Sequence, residues 1–133
     1  MPDCLVEKDG HVLTVTLNRP QRRNAMTLAM FARLADAWDL MEAETDILAC
    51  ILTGADGNFS SGMDLRTMAG ETDDGDDYDV TGRMEREGSR FIYNGLLKTR
   101  HPRVPVIAAV EGTAIAGGTE ILLGTDIRVA GES

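Results

Sequence analysis

The chain has 133 residues, of which 43 % are hydrophobic and 26 % charged, with a formal net charge of −9. That size and balance fit one ordinary folded domain, and no apolar run approaches the roughly 20 residues of a membrane helix. The acidity excludes a nucleic-acid surface, which needs basic groups against phosphates.

MPDCLVEKDG has neither a basic flank nor an apolar core, so it is not read as a signal peptide. Cys4 and Cys50 make neither a metal motif nor a disulfide framework. They are expected to be reduced packing thiols in a cytoplasmic protein. HVLTVTLN, residues 11–18, alternates Leu13, Val15 and Leu17 against Thr14 and Thr16, the period of a half-buried strand. Asp9-Gly10 before it is a hairpin signal that pairs it with residues 4–7. Arg19-Pro20 closes it, since proline has no N–H for a ladder.

Thr27 opens a helix that runs to Glu44, with Phe31, Leu34, Trp38 and Met41 as one apolar stripe and Asp36, Asp39 and Glu42 off it. ILACILTG (47–54) and VPVIAAVEG (104–112) are continuous apolar runs of strand length, read as central strands buried on both faces. Between them lie an acidic stretch and a helix from about Thr81 to Thr99, which Gly88 and Gly95 weaken by about 1 kcal/mol each. DIRVAG, residues 126–131, is a last short strand. Strands alternating with helices indicate an α/β architecture with crossover connections.

The acidic stretch ETDDGDDYD, residues 71–79, holds six acids, and without them the chain carries only −3. Its spacing does not match the twelve-residue calcium loop, which ends in glutamate. A solvated, mobile loop is expected over residues 67–80.

Three stretches can carry chemistry: NRPQRRNAM (18–26), NFSSGMDL (58–65) and EGTAIAGGTEILL (111–123). The last two follow the apolar strands, and in open α/β sheets sites form outside the carboxyl ends of strands. Glycine lets backbone approach a ligand closely, and the first amides of a helix have no partner. Two such turns, each giving one N–H, can hold an oxygen that becomes negative during reaction. Glu120, one turn beyond Gly117, can then move a proton. Taken singly, the Gly117-Gly118 doublet equally permits tight packing, and a glutamate in a first turn suits the helix dipole.

Other motifs fall away. A phosphate loop would need lysine where Gly118 stands, and a nucleophile elbow would need glycine where Asn58 stands. His11, read as mid-strand, and His101, before a proline, have no partner at metal spacing, so no metal is expected.

Together the three stretches resemble one family, the crotonase or enoyl-CoA hydratase/isomerase superfamily. The likeness runs from about Gly10 to Ser133, apart from the acidic loop and part of the next helix. LNRPQRRNAM is similar to the family's first signature, FSSGMDL to its F-x-x-G-x-D-[LI] turn, and AVEGTAIAGGTEILLGTDIRVA to its strand–GG–helix–strand block. The resemblance implies a crotonase-like α/β fold of repeated ββα units. Residues 1–133 would form the N-terminal part of an acyl-CoA domain, with the C-terminal part missing.

By position, the resemblance gives the backbone N–H groups of Met63 and Gly117 the task of polarising a thioester carbonyl. It makes Arg22, Arg23, Ala25, Met63, Asp64, Leu65 and Gly117 acyl-CoA contacts. Glu120 matches the first of two hydratase glutamates, which position water, remove its proton and protonate the α-carbon. The second would lie past Ser133, since Glu132 belongs to the A-G-E-x segment. The implied reaction is addition of water to the 2,3-double bond of an enoyl-CoA, as in fatty acid β-oxidation. The alternatives are enoyl-CoA isomerisation, or a truncated acyl-CoA-binding protein without catalysis. Coenzyme A enters as part of the substrate, with no separate cofactor, and neither nucleic acid nor membrane is an expected partner. Trimers or hexamers are usual in the family, but the helices that build them come after this stretch.

Overall fold

The computed structural model describes residues 1–69 and 75–132. Residues 70–74, within the expected acidic loop, and Ser133 lie outside the described residues. β1 (Cys4–Asp9) and β2 (Val12–Leu17) form the expected antiparallel hairpin, with Val6 opposite Val15. β2, β3 (Ala49–Gly54), β4 (Val106–Val110) and β5 (Ile127–Ala130) then run parallel, so the sheet order follows the chain. Each parallel step needs a crossover. α1 (Leu28–Ala43) supplies the first, α2 (Leu65–Met68), α3 (Val80–Glu87) and α4 (Arg90–Gly95) the second, and α5 (Gly117–Leu122) the third.

The alternation in β2 decides which face is inside. Leu13, Val15 and Leu17 are fully buried, and so are their neighbours in register, Cys50 and Leu52 in β3 and Val106 and Ala108 in β4. α1 supplies Met30, Phe31, Leu34, Trp38 and Met41 to the same core. Each large apolar side chain buried there contributes about 1.5–3 kcal/mol. The indole N–H of Trp38 donates to the Gly95 carbonyl at 3.0 Å, so its one polar atom is satisfied. Thr27 caps α1 by accepting the Met30 N–H at 3.1 Å.

Several expectations change. β3 and β4 are buried on one face only: Ala49, Ile51, Thr53, Ile107 and Ala109 are partly exposed, and every residue of β5 is exposed. An apolar run shows what a strand can bury, not how many layers cover it. The single helix expected from Thr81 to Thr99 is two helices, α3 and α4, parted at Gly88. Gly88 takes φ 62° and ψ −144°, which no helix residue can hold. Gly95 instead stays helical and packs against α1, where a Cβ would meet the Phe31 carbonyl oxygen at 2.6 Å. His11 lies in the hairpin turn, exposed, with Nδ1 2.7 Å from the Asp46 carbonyl oxygen, and not mid-strand.

The described end of the acidic stretch is divided. Asp77 is 98 % exposed, but the Asp76 side chain is only 1 % exposed. Asp76 accepts Arg33 Nε at 2.8 Å, Arg33 Nη2 at 2.7 Å and the Asp3 N–H at 2.7 Å. It therefore ties this stretch to α1 and to the start of β1. Cys4 and Cys50 are buried and unbridged, and burial pushes both thiols up to about 12. Among the described residues no helix is long and apolar enough to cross a membrane.

Candidate active site

Because β2, β3 and β4 are parallel, their carboxyl ends share one sheet edge, and the three chemistry-bearing stretches all leave from it. They pair with one another there. Short parallel bridges join Met26 to Met63 and Ser60 to Ala114. The Met26 N–H donates to the Gly62 carbonyl at 2.7 Å, and the Asp64 N–H to the Met26 carbonyl at 2.9 Å. The Thr113 carbonyl accepts the N–H groups of Phe59 and Ser60, and the Ile115 N–H donates to the Ser60 carbonyl at 3.1 Å. Asn24, fully buried, adds side-chain bonds to the carbonyls of Ala55 and Asn58 at 3.0 and 2.7 Å. Met26 and Asn24 escaped the sequence reading, which looked for ligand-facing groups; both act mainly on neighbouring backbone.

These pairings place two peptide groups side by side. A Cβ built on Gly62 would lie 3.1 Å from the Gly117 nitrogen, and one built on Gly117 would lie 3.5 Å from the Met63 nitrogen. Among the described residues, neither the Met63 nor the Gly117 N–H donates a hydrogen bond. Gly117 is the first residue of α5, so it has no partner within the helix. The glycine doublet resolves into two roles. Gly118 packs, because a Cβ there would come within 2.5 Å of the Ser60 carbonyl oxygen; Gly117 borders Met63. An oxygen seated between two such free N–H groups would be stabilised as it gains negative charge.

Glu120 stands one turn into α5 and is about half exposed; its Oε2 lies 2.5 Å from Lys98 Nζ. Lys98, just beyond α4, carries no local sequence signal that would link it to Glu120. Beside Met63 opens a cleft of about 490 Å³. It gathers Arg22, Ala25, Met63, Asp64 and Leu65, together with Ser61 and Arg66. Arg23 does not line it; its side chain is exposed and its carbonyl accepts the Ser61 N–H at 3.0 Å. Arg66, half exposed, is a second guanidinium on the cleft that the sequence reading missed.

Asp64 lines the cleft but turns its carboxylate inward. Burial alone would raise its carboxyl, yet the Arg19 hydrogen bond and the N–H groups of Arg66 and Thr67 outweigh it and hold the carboxyl below the usual range. Among the described residues, no group of three or more His, Cys, Asp or Glu side chains is arranged to hold a metal ion.

Comparison with known proteins gives the chain its relatives. A family model described as enoyl-CoA hydratase/isomerase matches residues 7–133. The chain is 52 % identical over 134 residues to enoyl-CoA hydratase EchA19 of Mycobacterium tuberculosis, covering 99 % of this chain and 47 % of the relative. Among solved structures, a probable enoyl-CoA hydratase/isomerase from Mycobacterium abscessus superposes with a TM-score of 0.79 at 38 % identity, covering 100 % of this chain and 47 % of that one. An enoyl-CoA hydratase homologue from Thermobifida fusca, solved in complex with acetoacetyl-CoA, gives 0.78 at 32 % identity, covering 97 % and 51 %. The chain thus spans about half the length of the relatives it matches.

Proposed function

The chain belongs to the enoyl-CoA hydratase/isomerase family, and on that footing we propose that it serves the addition of water to the 2,3-double bond of an enoyl-CoA. The observation that carries this reading is the adjacent pair of N–H groups at Met63 and Gly117, neither of which donates a hydrogen bond among the described residues. The thioester carbonyl oxygen sits between them. As water attacks C3, a C–O bond forms and the electron pair of the double bond moves through C2 onto that oxygen as an enolate. The two N–H groups then donate to the growing charge, each worth about 2.7–4 kcal/mol of barrier. Glu120 removes the proton from the attacking water, with Lys98 holding its carboxylate in place. As the enolate collapses, Glu120 gives up that proton to C2 and returns to a carboxylate, so that water has been added across the double bond. The second glutamate implied by the family resemblance would fall after residue 133.

The cleft beside Met63 takes the coenzyme end. Arg22 and Arg66 bring guanidinium groups to its rim, where they can meet phosphate oxygens, and Ala25 and Leu65 give an apolar wall. The Thermobifida fusca relative's complex with acetoacetyl-CoA supports a thioester ligand of this kind.

The test follows loss of the conjugated absorbance of a short 2-enoyl-CoA. Glu120→Gln should slow hydration by about 10²–10⁴-fold, the usual contribution of a proton-transfer group. An unchanged rate would remove Glu120 from the chemistry. Because the family's description joins isomerases to hydratases, double-bond migration is the second reading. Product analysis with a 3-enoyl-CoA separates the two.

A further inference from the structure

Resting on the Met63–Gly117 site of the preceding section, we propose that Arg19 and Asp64 are positioning residues for the Met63 N–H, acting through two peptide groups, and that neither contacts the coenzyme.

The connection runs through planar units. Arg19 Nη1 donates to the Ala25 carbonyl at 2.9 Å. The same peptide group carries the Met26 N–H, which donates to the Gly62 carbonyl at 2.7 Å. That second peptide group carries the Met63 N–H. A peptide group is rigid and its C=O and N–H point in opposite directions. Fixing the Gly62 carbonyl against the Met26 backbone therefore turns the Met63 N–H away from that backbone, and a Cβ on Gly117 would lie 3.5 Å from the Met63 nitrogen. The order of donors and acceptors also matters. A guanidinium on the first carbonyl polarises each bond after it in the same sense, strengthening the last N–H as a donor by about 10–30 % per bond.

Asp64 fixes the other side of Met63. Its N–H donates to the Met26 carbonyl at 2.9 Å. One carboxylate oxygen accepts Arg19 Nη1 at 3.1 Å, and the other accepts the N–H groups of Arg66 and Thr67 at 2.9 and 3.4 Å. With its oxygens so engaged, and carrying the same sign as a phosphate, this carboxylate is not a coenzyme contact. Arg19 is itself held, since its Nε lies 3.8 Å from Asp3 Oδ1 and Asp3 Oδ2 accepts the Thr27 hydroxyl. The Arg19 side chain is 4 % exposed and that of Asp64 9 %. Buried ion pairs roughly break even against desolvation, so this pair earns its place through geometry and not through stability.

The experiment uses the 133-residue chain with two probes, coenzyme A and acetoacetyl-CoA, whose acyl oxygen enters the Met63–Gly117 site. Calorimetry gives both dissociation constants, and ¹H–¹⁵N spectra follow the Met63 and Gly117 amides. Asp64→Asn keeps the size and the helix cap; Arg19→Lys keeps the charge but not the fork. At least one should fold, as judged by circular dichroism. In the folded variants, acetoacetyl-CoA affinity should fall about five- to tenfold, with coenzyme A affinity within twofold and the Met63 amide proton shifted while Gly117 is not. Equal loss for both probes, or no loss with an unmoved Met63 amide, would overturn the role of Arg19 and Asp64. Failure of both variants to fold would overturn it too, in favour of a purely structural pair. A wild-type chain that does not prefer acetoacetyl-CoA to coenzyme A would sink the oxyanion reading itself.

Discussion

Gly62 and Ala116 face each other across the candidate site so closely that a Cβ on Gly62 would lie 2.9 Å from the Ala116 Cβ. Gly62 has φ +95°, and Ala116 has φ 48° with ψ −118°, a region suited to glycine. Both positive-φ residues, of which only Ala116 is strained, directly precede an N–H of the proposed oxyanion hole. Gly62→Ala should therefore cost about 1–2 kcal/mol from its φ alone. It should also push the two turns apart and weaken acetoacetyl-CoA binding at least tenfold. Gly88→Ala is the control: φ is also positive, but nothing lies within 4 Å of the added Cβ. It should lose about 1 kcal/mol of stability and no affinity. Equal binding losses for the two variants would contradict the close approach. Ala116→Gly should move stability the other way. It relieves about 1–3 kcal/mol of strain, offset by about 0.5–1 kcal/mol of extra unfolded-state freedom, for a net gain near 1 kcal/mol in urea melts.

Acid should unfold the protein partly through Asp76 and Asp64. Burial raises the Asp76 carboxyl, but Arg33 and the N–H groups of Asp3 and Tyr78 outweigh it and hold it low; Asp64 is held low in the same way. An unfolded aspartate titrates near about 3.9. Below that pH the unfolded chain binds protons that the native chain refuses, so stability falls as pH falls. The contribution is complete above the unfolded value and is lost as pH drops through the lower native one. Asp76→Asn should cost about 1–3 kcal/mol at neutral pH and flatten the decline below pH 4. Urea melts at pH 7, 5 and 3 give both quantities; an acid slope identical to wild type would remove Asp76 from the account.

The sequence made the hairpin and α1 legible because each has one covered face and a clean period, two in β2 and 3.6 around Phe31, Leu34, Trp38 and Met41. The two site turns were legible from their place after apolar strands. What stayed hidden is set by contacts far apart in the chain. Gly88 and Gly95 look alike in sequence, yet one breaks a helix and the other sits against Phe31. Asp76 and Asp77 are adjacent acids that both reach Arg33, yet only Asp76, which also accepts the Asp3 N–H, is buried. Arg19 and Asp64 stand 45 residues apart, and no spacing rule links them. Their partners come from the three-loop edge, which exists only once the parallel sheet has formed.

The thiols offer a direct check on the core. Cys4 is 3 % exposed and Cys50 not exposed at all, and burial pushes both to about 12. At pH 8 the native protein should hold almost no thiolate, the reactive form. A thiol reagent such as iodoacetamide should label neither residue in native buffer and both in urea, as read from intact mass. Fast native labelling of Cys50 would mean that the β3 core face is open.

Thr27 joins two jobs in one hydroxyl. Its oxygen accepts the Met30 N–H at 3.1 Å as the cap of α1, and its proton goes to Asp3 Oδ2 at 2.5 Å. Asp3 in turn lies against Arg19, so the cap is also an end of the buried charge string. Thr27→Ala removes a cap worth about 1 kcal/mol and a hydrogen bond to a carboxylate worth about 1.5–3 kcal/mol. Because the two share one atom and Asp3 keeps Arg19, the losses should not add in full, and about 2 kcal/mol is expected. Thr27→Ser keeps both bonds and gives up one buried methyl, so it should cost about 1 kcal/mol. Urea unfolding of the two variants separates the hydroxyl from the methyl. Equal losses would mean that Thr27 matters only as packing.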